Sequence, residues 1–344
     1  MGNRINLDNF DIHTDLIIDN YKFNDEDKYV KYYTDSDIKV TNINVNNDNY
    51  KSFNRKIGNY ITIEFPDISN FEDRERLELI LENEIEKMIL NLNIKKDDNC
   101  LIVGLGNRNS TPDSLGPKIL DNIMITRHLF ILAPDNVNDG IRCVSGISPG
   151  VMADTGIESA DMLLDIVNDI KPKFIVIVDA LASSSIDRIN KTIQITDTGI
   201  HPGSGIGNNR KEISIDTLGI PVIAIGVPTV VDVSTVIGDT IKYLYKHISY
   251  IKNNFDKNKL ILSRTNYFDK IKDIDLTDTE KKSVGGLLGE LSNVEVKSLF
   301  NEVLDSINCN MMVTVKEIDF IIDKLSLVIS SSINNALHDN VTHY

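Results

Sequence analysis

Apolar and polar positions alternate in two different periods along this chain, and the periods predict its secondary structure. Residues 58–68 alternate residue by residue, which is typical of a strand, and residues 72–93 keep one face apolar at helical spacing. Residues 1–56 are polar and rich in Asn, Asp, Lys and Tyr. We interpret the stretch TNINVNNDNYKSFN within them as a loop or a weak hairpin edge.

From residue 100 onward, continuous apolar runs alternate with amphipathic segments. Such an alternation is typical of a parallel sheet that helices cover on both faces, so we predict an α/β fold with a mainly parallel sheet flanked by helices. The predicted strands are 100–106, 141–147, 173–181, 191–196 and the first part of 219–232, and the predicted helices are 114–124, 158–170 and one that ends near 249. Helices are also predicted at 293–308 and 315–338, within a helical C-terminal extension of residues 250–344.

The composition restricts the classes of function. The net charge of −15 disfavours direct binding of nucleic acid, whose phosphates are also negative. The three cysteines lack metal-ligand spacing, so neither a disulfide framework nor a zinc cluster is expected. The N-terminus has no apolar signal-peptide core, and no segment is apolar enough to span a membrane. We therefore expect a cytoplasmic protein that binds no membrane.

Two aspartates follow predicted strands and are candidates for chemistry. Asp113 lies in GLGNRNSTPDSLGP after the strand 100–106, and Asp179 closes the apolar run FIVIV. Since ligands bind beyond the carboxyl ends of parallel strands, both carboxyls are expected at one rim of the sheet. Two poorly hydrated carboxyls can share a proton and leave one acid and one base, which could activate water against an amide. Alternatively, the two aspartates only cap the helix and the turn that follow them.

The glycine-rich stretch TDTGIHPGSGIGNNRK, residues 196–211, is a second candidate region. His201 could ligate a metal together with Asp113 and Asp179, or it could orient a water. In the alternative interpretation, the glycines shape a rim loop and His201 hydrogen-bonds the backbone. The main expectation is that the protein binds neither a metal nor another cofactor.

Three further residues, Asn107, Asp197 and Gly203, are candidates for contacts with a substrate, a pocket or an oxyanion. Asp197 begins one of two Asp-Thr-Gly triplets, and Asp154 begins the other. That triplet carries the catalytic aspartates of pepsin-like proteases, but those proteins are all-β. We therefore interpret both triplets as incidental, although Asp197 could line a pocket.

Long contiguous stretches of the chain resemble the germination proteases of spore-forming Firmicutes, from about residue 57 to residue 338. Matching stretches include LIVGLGNRNSTPDSLGP, SPGVMADTGIES, VDALASSSIDRINKTIQITDTGIHPGSGIGN, TLGIPVIAIGVPTVVD and MMVTVKEIDFIIDKL. The resemblance implies an aspartic-type endopeptidase with a fold like that of the hydrogenase maturation proteases. Its catalytic aspartates would lie in the motifs N-x-T-P-D and D-A-L-A, which are Asp113 and Asp179 here.

The resemblance also implies that the chain is made as an inactive zymogen that processes itself. HTDLIID, near the start, looks like a copy of the substrate motif, in which the cut follows an acidic residue. We therefore expect cleavage between Asp15 and Leu16, with residues 1–15 as a propeptide and residues 16–344 as a single α/β peptidase domain. The implied substrates are small acid-soluble spore proteins, the implied assembly is a homotetramer, and the implied location is the spore core.

Two alternatives stay open: a metal-dependent peptidase of the same fold that uses His201, and a non-catalytic relative that only binds protein. The sequence also departs from the family pattern. Arg108 stands where tryptophan is usual, and Ser183-Ser184-Ser185 replaces a run that contains arginine. Arg108 is therefore a candidate to replace the lost charge near Asp179. The sequence does not indicate which aspartate is the base.

Overall fold

The structure, a computed structural model, describes residues 14–19, 28–204, 210–254, 276–309 and 311–339. Within these residues a mixed sheet is flanked by helices. The strands are β1 (Val30–Asp35), β2 (Ile38–Val45), β3 (Gly58–Glu64), β4 (Cys100–Gly104), β5 (Val144–Ile147), β6 (Phe174–Ser183), β7 (Thr192–Thr196), β8 (Val222–Asp232) and β9 (Met312–Val313). The helices are α1 (Tyr50–Phe53), α2 (Phe71–Asn91), α3 (Leu115–Asp121), α4 (Arg127–Leu132), α5 (Met152–Thr155), α6 (Ser159–Ile170), α7 (Ile215–Leu218), α8 (Val233–Asn254), α9 (Asp278–Gly285), α10 (Asn293–Ser306) and α11 (Ile318–Leu337).

The strands lie in the order β1-β2-β3-β7-β8-β6-β4-β5, and β9 pairs with the end of β8. β4 runs parallel to both β5 and β6. The pairs β1–β2, β2–β3, β3–β7 and β7–β8 are antiparallel. The predicted α/β class and the C-terminal helices are confirmed. Of the two candidate aspartates, Asp113 follows the parallel strand β4 and Asp179 lies within the parallel strand β6.

Helices cover both faces of the parallel strands, as their continuous apolar sequences predict. In β4, Ile102 packs into a core cluster with residues of α2, α3 and α11. Its neighbours Leu101 and Val103 point to the other face and join a cluster with residues of α6 and α7. Both clusters are buried, so the ends of β4 and β6 have a rigid base.

The N-terminal region contains more structure than the sequence predicts. Residues 38–45 form the inner strand β2, between β1 and β3, and residues 41–45 of this strand belong to the stretch in which a loop or weak hairpin edge is expected. Ile43 and Val45 are buried, whereas Asn42 and Asn44 alternate with them and are more exposed. The expectation of a loop was wrong for this strand because its richness in asparagine obscured a two-residue period.

Contacts within the chain divide it into two compact units. One contains residues 184–186 and 231–313, and the other contains residues 13–183, 187–230 and 314–344. The predicted extension of residues 250–344 is therefore shared between the units, because α11 packs with the sheet core of the second. The division into a propeptide and one peptidase domain stays a prediction.

A buried ion pair organises the first unit. Lys297 Nζ lies 3.0 Å from the carboxylate of Asp239, and both side chains are less than a tenth exposed. Lys297 also donates a 2.6 Å hydrogen bond to the carbonyl oxygen of Ser184, and Asp239 accepts one of 3.0 Å from the N–H of Ile186. The pair thereby joins α8 and α10 to residues 184–186.

Candidate active site

The first turn of α3 lies directly against the end of β4 and the middle of β6. A Cβ atom added to Gly116 would lie 2.2 Å from the carbonyl oxygen of Leu105 and 2.7 Å from that of Val178, so only glycine fits. The N–H of Leu105 donates a 2.9 Å hydrogen bond to the carbonyl oxygen of Val178. This close approach places the segment before α3 next to the residue that follows Val178, which is Asp179.

Asp113 ends a short 3₁₀ turn, Thr111–Asp113, just before α3. Its Oδ2 atom accepts a 2.9 Å hydrogen bond from the backbone N–H of Asn107. The helix-capping interpretation of Asp113 is wrong, because the N-cap position of α3 is Ser114 and no side chain caps the helix. Gly106 has a φ of +112°, and a Cβ atom there would lie 2.0 Å from the carbonyl oxygen of Asp113.

Asp179 lies inside β6, where it follows the apolar run of this strand. The strand continues to Ser183, because the residues after Asp179 are small or apolar and mostly buried. Asp179 is 6% exposed, and its Oδ1 atom accepts a 2.9 Å hydrogen bond from the N–H of Ala180. A carboxyl in this position has little access to water.

The electrostatic environment couples the two carboxyls. Burial raises the pKa of Asp179 well above its usual value, and the charges of Asp113 and Asp15 raise it further, while the N–H of Ala180 and the charge of Arg210 lower it. Burial also raises the pKa of Asp113, and the N–H of Asn107 and the charge of Arg210 oppose this rise. Asp113 and Asp179 thus lie close enough to interact, as predicted for one rim.

Arg210 is the basic neighbour of this pair, and sequence analysis missed it. Arg108, the residue proposed for that role, instead donates hydrogen bonds of 2.5 and 2.9 Å to the carboxylate of Asp121. The expectation for Arg108 was wrong because the first helix after it offers a carboxylate at close range. Arg210 follows a glycine-rich stretch, which gave no periodic signal for its position.

His201 lies apart from the two aspartates. Its Nε2 atom is 3.7 Å from the carboxylate of Glu212, and its side chain is half exposed. Across the described residues, no three His, Cys, Asp or Glu side chains form a group that could hold a metal ion. The structure therefore does not bring His201 together with Asp113 and Asp179.

The other sequence candidates have structural partners. Both carboxylate oxygens of Asp197 are bound by Asn59, at 2.8 Å by its backbone N–H and at 2.7 Å by its side-chain amide, at the start of β3. Gly203 has a φ of +73° in a turn closed by a 3.1 Å hydrogen bond from the N–H of Ser204 to the carbonyl oxygen of His201. Gly203 therefore shapes the turn that presents Ser204.

The segment around Asp15 is bound beside β6. The N–H of Asp15 donates to the carbonyl oxygen of Ala182 (3.1 Å), and its Oδ2 atom accepts from the N–H of Ala182 (2.9 Å). Leu16 and Ile17 are fully buried in an apolar cluster that includes Phe53. The start of the described chain is therefore held against the strand that carries Asp179.

Chemically, the site offers two carboxyls of unequal acidity within a poorly hydrated edge of the sheet. The more deeply buried one, Asp179, favours its protonated form, and Asp113 keeps a hydrogen-bond donor that favours the ionised form. Such a pair can donate one proton and accept another.

No helix in the described part of the chain is both long and apolar enough to cross a membrane.

Comparison with known proteins identifies the family of the chain. A family model described as germination protease matches residues 14–344. The chain is 42% identical to the germination protease of Bacillus licheniformis, over 98% of this chain and 96% of the relative. It is 44% identical to the germination protease of Bacillus subtilis, over 89% of this chain and 84% of the relative. A solved hydrogenase maturation protease, HycI from Thermococcus kodakarensis, matches 38% of this chain and 74% of its own, with 16% identity and a TM-score of 0.24. By its sequence, the chain belongs to the germination protease family and is a peptidase.

Proposed function

We propose that this peptidase is an aspartic-type endopeptidase that begins the degradation of small acid-soluble spore proteins during germination. The observation that supports it most is the coupling of Asp113 and Asp179, whose pKa values are both raised at one edge of the sheet. Members of an acid–base pair need unequal pKa values, and these two carboxyls have environments that differ in burial and in neighbouring charges.

In this mechanism, Asp113 is the base and Asp179 is the acid. The carboxylate of Asp113 takes a proton from water, and the water oxygen attacks the carbonyl carbon of the substrate peptide bond. Asp179 gives its proton to the amide nitrogen as the C–N bond breaks, so that a carboxylic acid and an amine are released. Proton transfer from Asp113 to Asp179 then restores the starting state.

We further propose that residues 1–15 are a propeptide and that the enzyme removes them itself by cutting between Asp15 and Leu16. The support is the binding of Asp15 to Ala182 on β6, three residues after Asp179. A segment held there occupies space that an extended substrate would need, so it keeps the precursor inactive. After the cut, Leu16 becomes the first residue of the enzyme and has to leave its buried position before a substrate can bind there.

The proposed setting is the cytoplasm of the spore core, where the substrates coat DNA, and the proposed assembly is a homotetramer. Both follow from the family to which the chain belongs. The acidic net charge of −15 agrees with an enzyme that binds its protein substrates and not the DNA.

The proposal is tested with a purified small acid-soluble spore protein and with a peptide that contains Thr-Glu followed by an apolar residue and alanine. We expect the wild-type protein, after it has processed itself, to cut both after the glutamate, at the same rate with and without a metal chelator. Loss of cleavage on addition of chelator would favour the metal-dependent alternative that uses His201. Binding of the spore protein without any cleavage would favour the non-catalytic alternative.

A further inference from the structure

The carboxylate of Asp15 lies in a cradle, which we define as Arg55, Ala182, Gln194 and Ser204. One carboxylate oxygen accepts a hydrogen bond from the N–H of Ala182 (2.9 Å), and the other accepts one from the hydroxyl of Ser204 (2.6 Å). Hydrogen bonds to an ionised acceptor are about twice as strong as those between neutral groups. The cradle therefore binds an acidic side chain at this position in preference to an uncharged one.

Gln194 and Arg55 bind the main chain on both sides of this carboxylate. Gln194 Nε2 donates to the carbonyl oxygen of Asp15 (3.2 Å), and its Oε1 atom accepts from the N–H group two residues further on (2.8 Å). Arg55 Nη2 donates to the carbonyl oxygens of Thr14 (2.8 Å) and Leu16 (3.2 Å). Because these contacts use peptide groups only, they would hold an extended chain of a different sequence equally well.

A cavity of about 230 Å³ adjoins the cradle. Its walls include Asp15 and three of the four cradle residues, and also basic and acidic side chains, namely Lys56, His201 and Glu212. The space next to the carboxylate is large enough for the additional methylene group of a glutamate. The cradle is therefore not restricted to the aspartate that it holds in the precursor.

We propose that this cradle binds the acidic residue that precedes the cut in a peptide substrate, and that Ser204 helps to select it. The inference rests on the proposed function, in which residues 1–15 leave after the cut. An acidic residue of a substrate then takes the place of Asp15 and makes the same contacts with Ala182 and Ser204. The carbonyl group that Gln194 binds becomes that of the peptide bond to be hydrolysed.

The electrostatics of the proposed dyad agree with this placement. The charge of Asp15 is one of the causes that raise the pKa of Asp179, so a carboxylate in the cradle interacts with the proposed general acid. A substrate carboxylate there would likewise help Asp179 to keep its proton. A substrate with glutamine at this position would not, so the choice of residue affects the chemical step as well as binding.

The test compares two peptides that differ only in glutamate or glutamine before the cut, with the full chain after it has processed itself. We expect wild-type enzyme to cleave the glutamate peptide with the higher kcat/KM. Ser204→Ala should lower the glutamate-to-glutamine ratio of kcat/KM by roughly tenfold, the effect of one charge-assisted hydrogen bond. Ser204→Thr, which keeps a hydroxyl, should retain most of the preference, and the exposed control Ser306→Ala should retain all of it.

A second measurement does not depend on the Ser204 variants. In the full chain, Asp15→Asn should slow self-cleavage by roughly tenfold or more because it removes the charged acceptor, whereas Asp15→Glu should still be cut. Intact-mass measurements over time report both rates. Self-cleavage of Asp15→Asn at the wild-type rate would overturn the proposal.

The outcomes separate this inference from the proposed function. If wild-type enzyme cuts the peptides but Ser204→Ala keeps the full glutamate-to-glutamine ratio, the cradle does not select the acid and only this inference fails. If the wild-type enzyme cuts neither peptide, the proposed function fails and the inference fails with it.

Discussion

The N–H of Leu105 donates a 2.9 Å hydrogen bond to the carbonyl oxygen of Val178. This bond joins the chain after β4 to β6 at the residue before Asp179. The turn that carries Asp113 follows Leu105 by only a few residues, so both carboxyls are brought to the same edge of the sheet. This peptide hydrogen bond between two buried residues therefore holds the segment that carries Asp113 against the strand that carries Asp179.

Gly106 should be essential for the position of Asp113. In Gly106→Ala the new Cβ atom would lie 2.0 Å from the carbonyl oxygen of Asp113, so the turn must move. We expect kcat/KM to fall by about 100-fold, the usual effect of displacing a catalytic group by about 1 Å. Gly156→Ala is the matched control, because Gly156 also has a positive φ, +72°, but has nothing within 4 Å of the added atom. That variant should lose about 1 kcal/mol of stability and keep its activity; equal losses of activity in both would contradict the assignment.

Arg210 should set the pH range of activity. Its charge lowers the pKa values of both Asp113 and Asp179. In Arg210→Gln both values should rise, so both limbs of the profile of kcat/KM against pH should move to higher pH. Arg108→Gln is the control, since Arg108 pairs with Asp121, and its profile should match that of the wild type. A shift in the Arg108 variant and none in the Arg210 variant would reverse our assignment.

Asp179→Asn should stabilise the folded protein at neutral pH. Because the pKa of Asp179 is raised on folding, the folded state binds more protons than the unfolded state between the two values. The contribution of Asp179 to stability is therefore complete below about pH 3.9, the ordinary pKa of aspartate, and is lost as the pH rises through the folded pKa. The asparagine variant avoids this loss.

Thermal unfolding at several pH values measures this effect. We expect Asp179→Asn to have a higher Tm than wild type at pH 7, and the difference to disappear near pH 4. A difference of 1 kcal/mol in the free energy of unfolding shifts Tm by roughly 2–4 °C in chains of about 150–250 residues, and by somewhat less in a longer chain such as this one. Asp154→Asn, at an exposed position in α5, should show no such difference. A lower Tm for Asp179→Asn at pH 7 would mean that the carboxylate is stabilised by the fold.

Arg188 should hold the buried start of the described chain in place. It pairs with the carboxylate of Asp19, whose side chain is fully buried and also accepts a 3.0 Å hydrogen bond from the hydroxyl of Ser183. Arg188→Leu removes a cation from beside that buried carboxylate and should lower the free energy of unfolding in urea by about 3–5 kcal/mol. Arg108→Leu removes an exposed pair and should cost less than about 1 kcal/mol. Similar costs for both variants would contradict this account.

Much of the sheet could be predicted because its apolar strands are continuous and lie between amphipathic helices. The sequence also placed Asp113 and Asp179 at one edge, since parallel strands bring their carboxyl ends together. It failed for β2, whose two-residue period is hidden among asparagines, and it ended the strand of Asp179 at residue 181, two residues before the end of β6. In both cases pairing with neighbouring strands decided the extent of the strand.

The surroundings of the pair could not be predicted in the same way. Arg210, Ser204 and Gln194 are separated from Asp113 by about 80 residues or more of sequence and carry no spacing that links them to it. Ser204 lies in a turn shaped by Gly203, and Gln194 lies on β7, which pairs antiparallel with β3 and β8. Arg108, close in sequence, was the plausible partner, but an exposed carboxylate on α3 lies within its reach.

The most direct test of the proposed dyad is the rate of self-cleavage in the full chain, followed by intact mass for wild type, Asp113→Asn, Asp179→Asn and the exposed control Asp154→Asn. We predict that wild type and the control convert to a chain that begins at Leu16. Both dyad variants should convert at least about 100-fold more slowly, because each lacks a general acid or base. Conversion of either folded dyad variant at the wild-type rate would contradict catalysis by this pair.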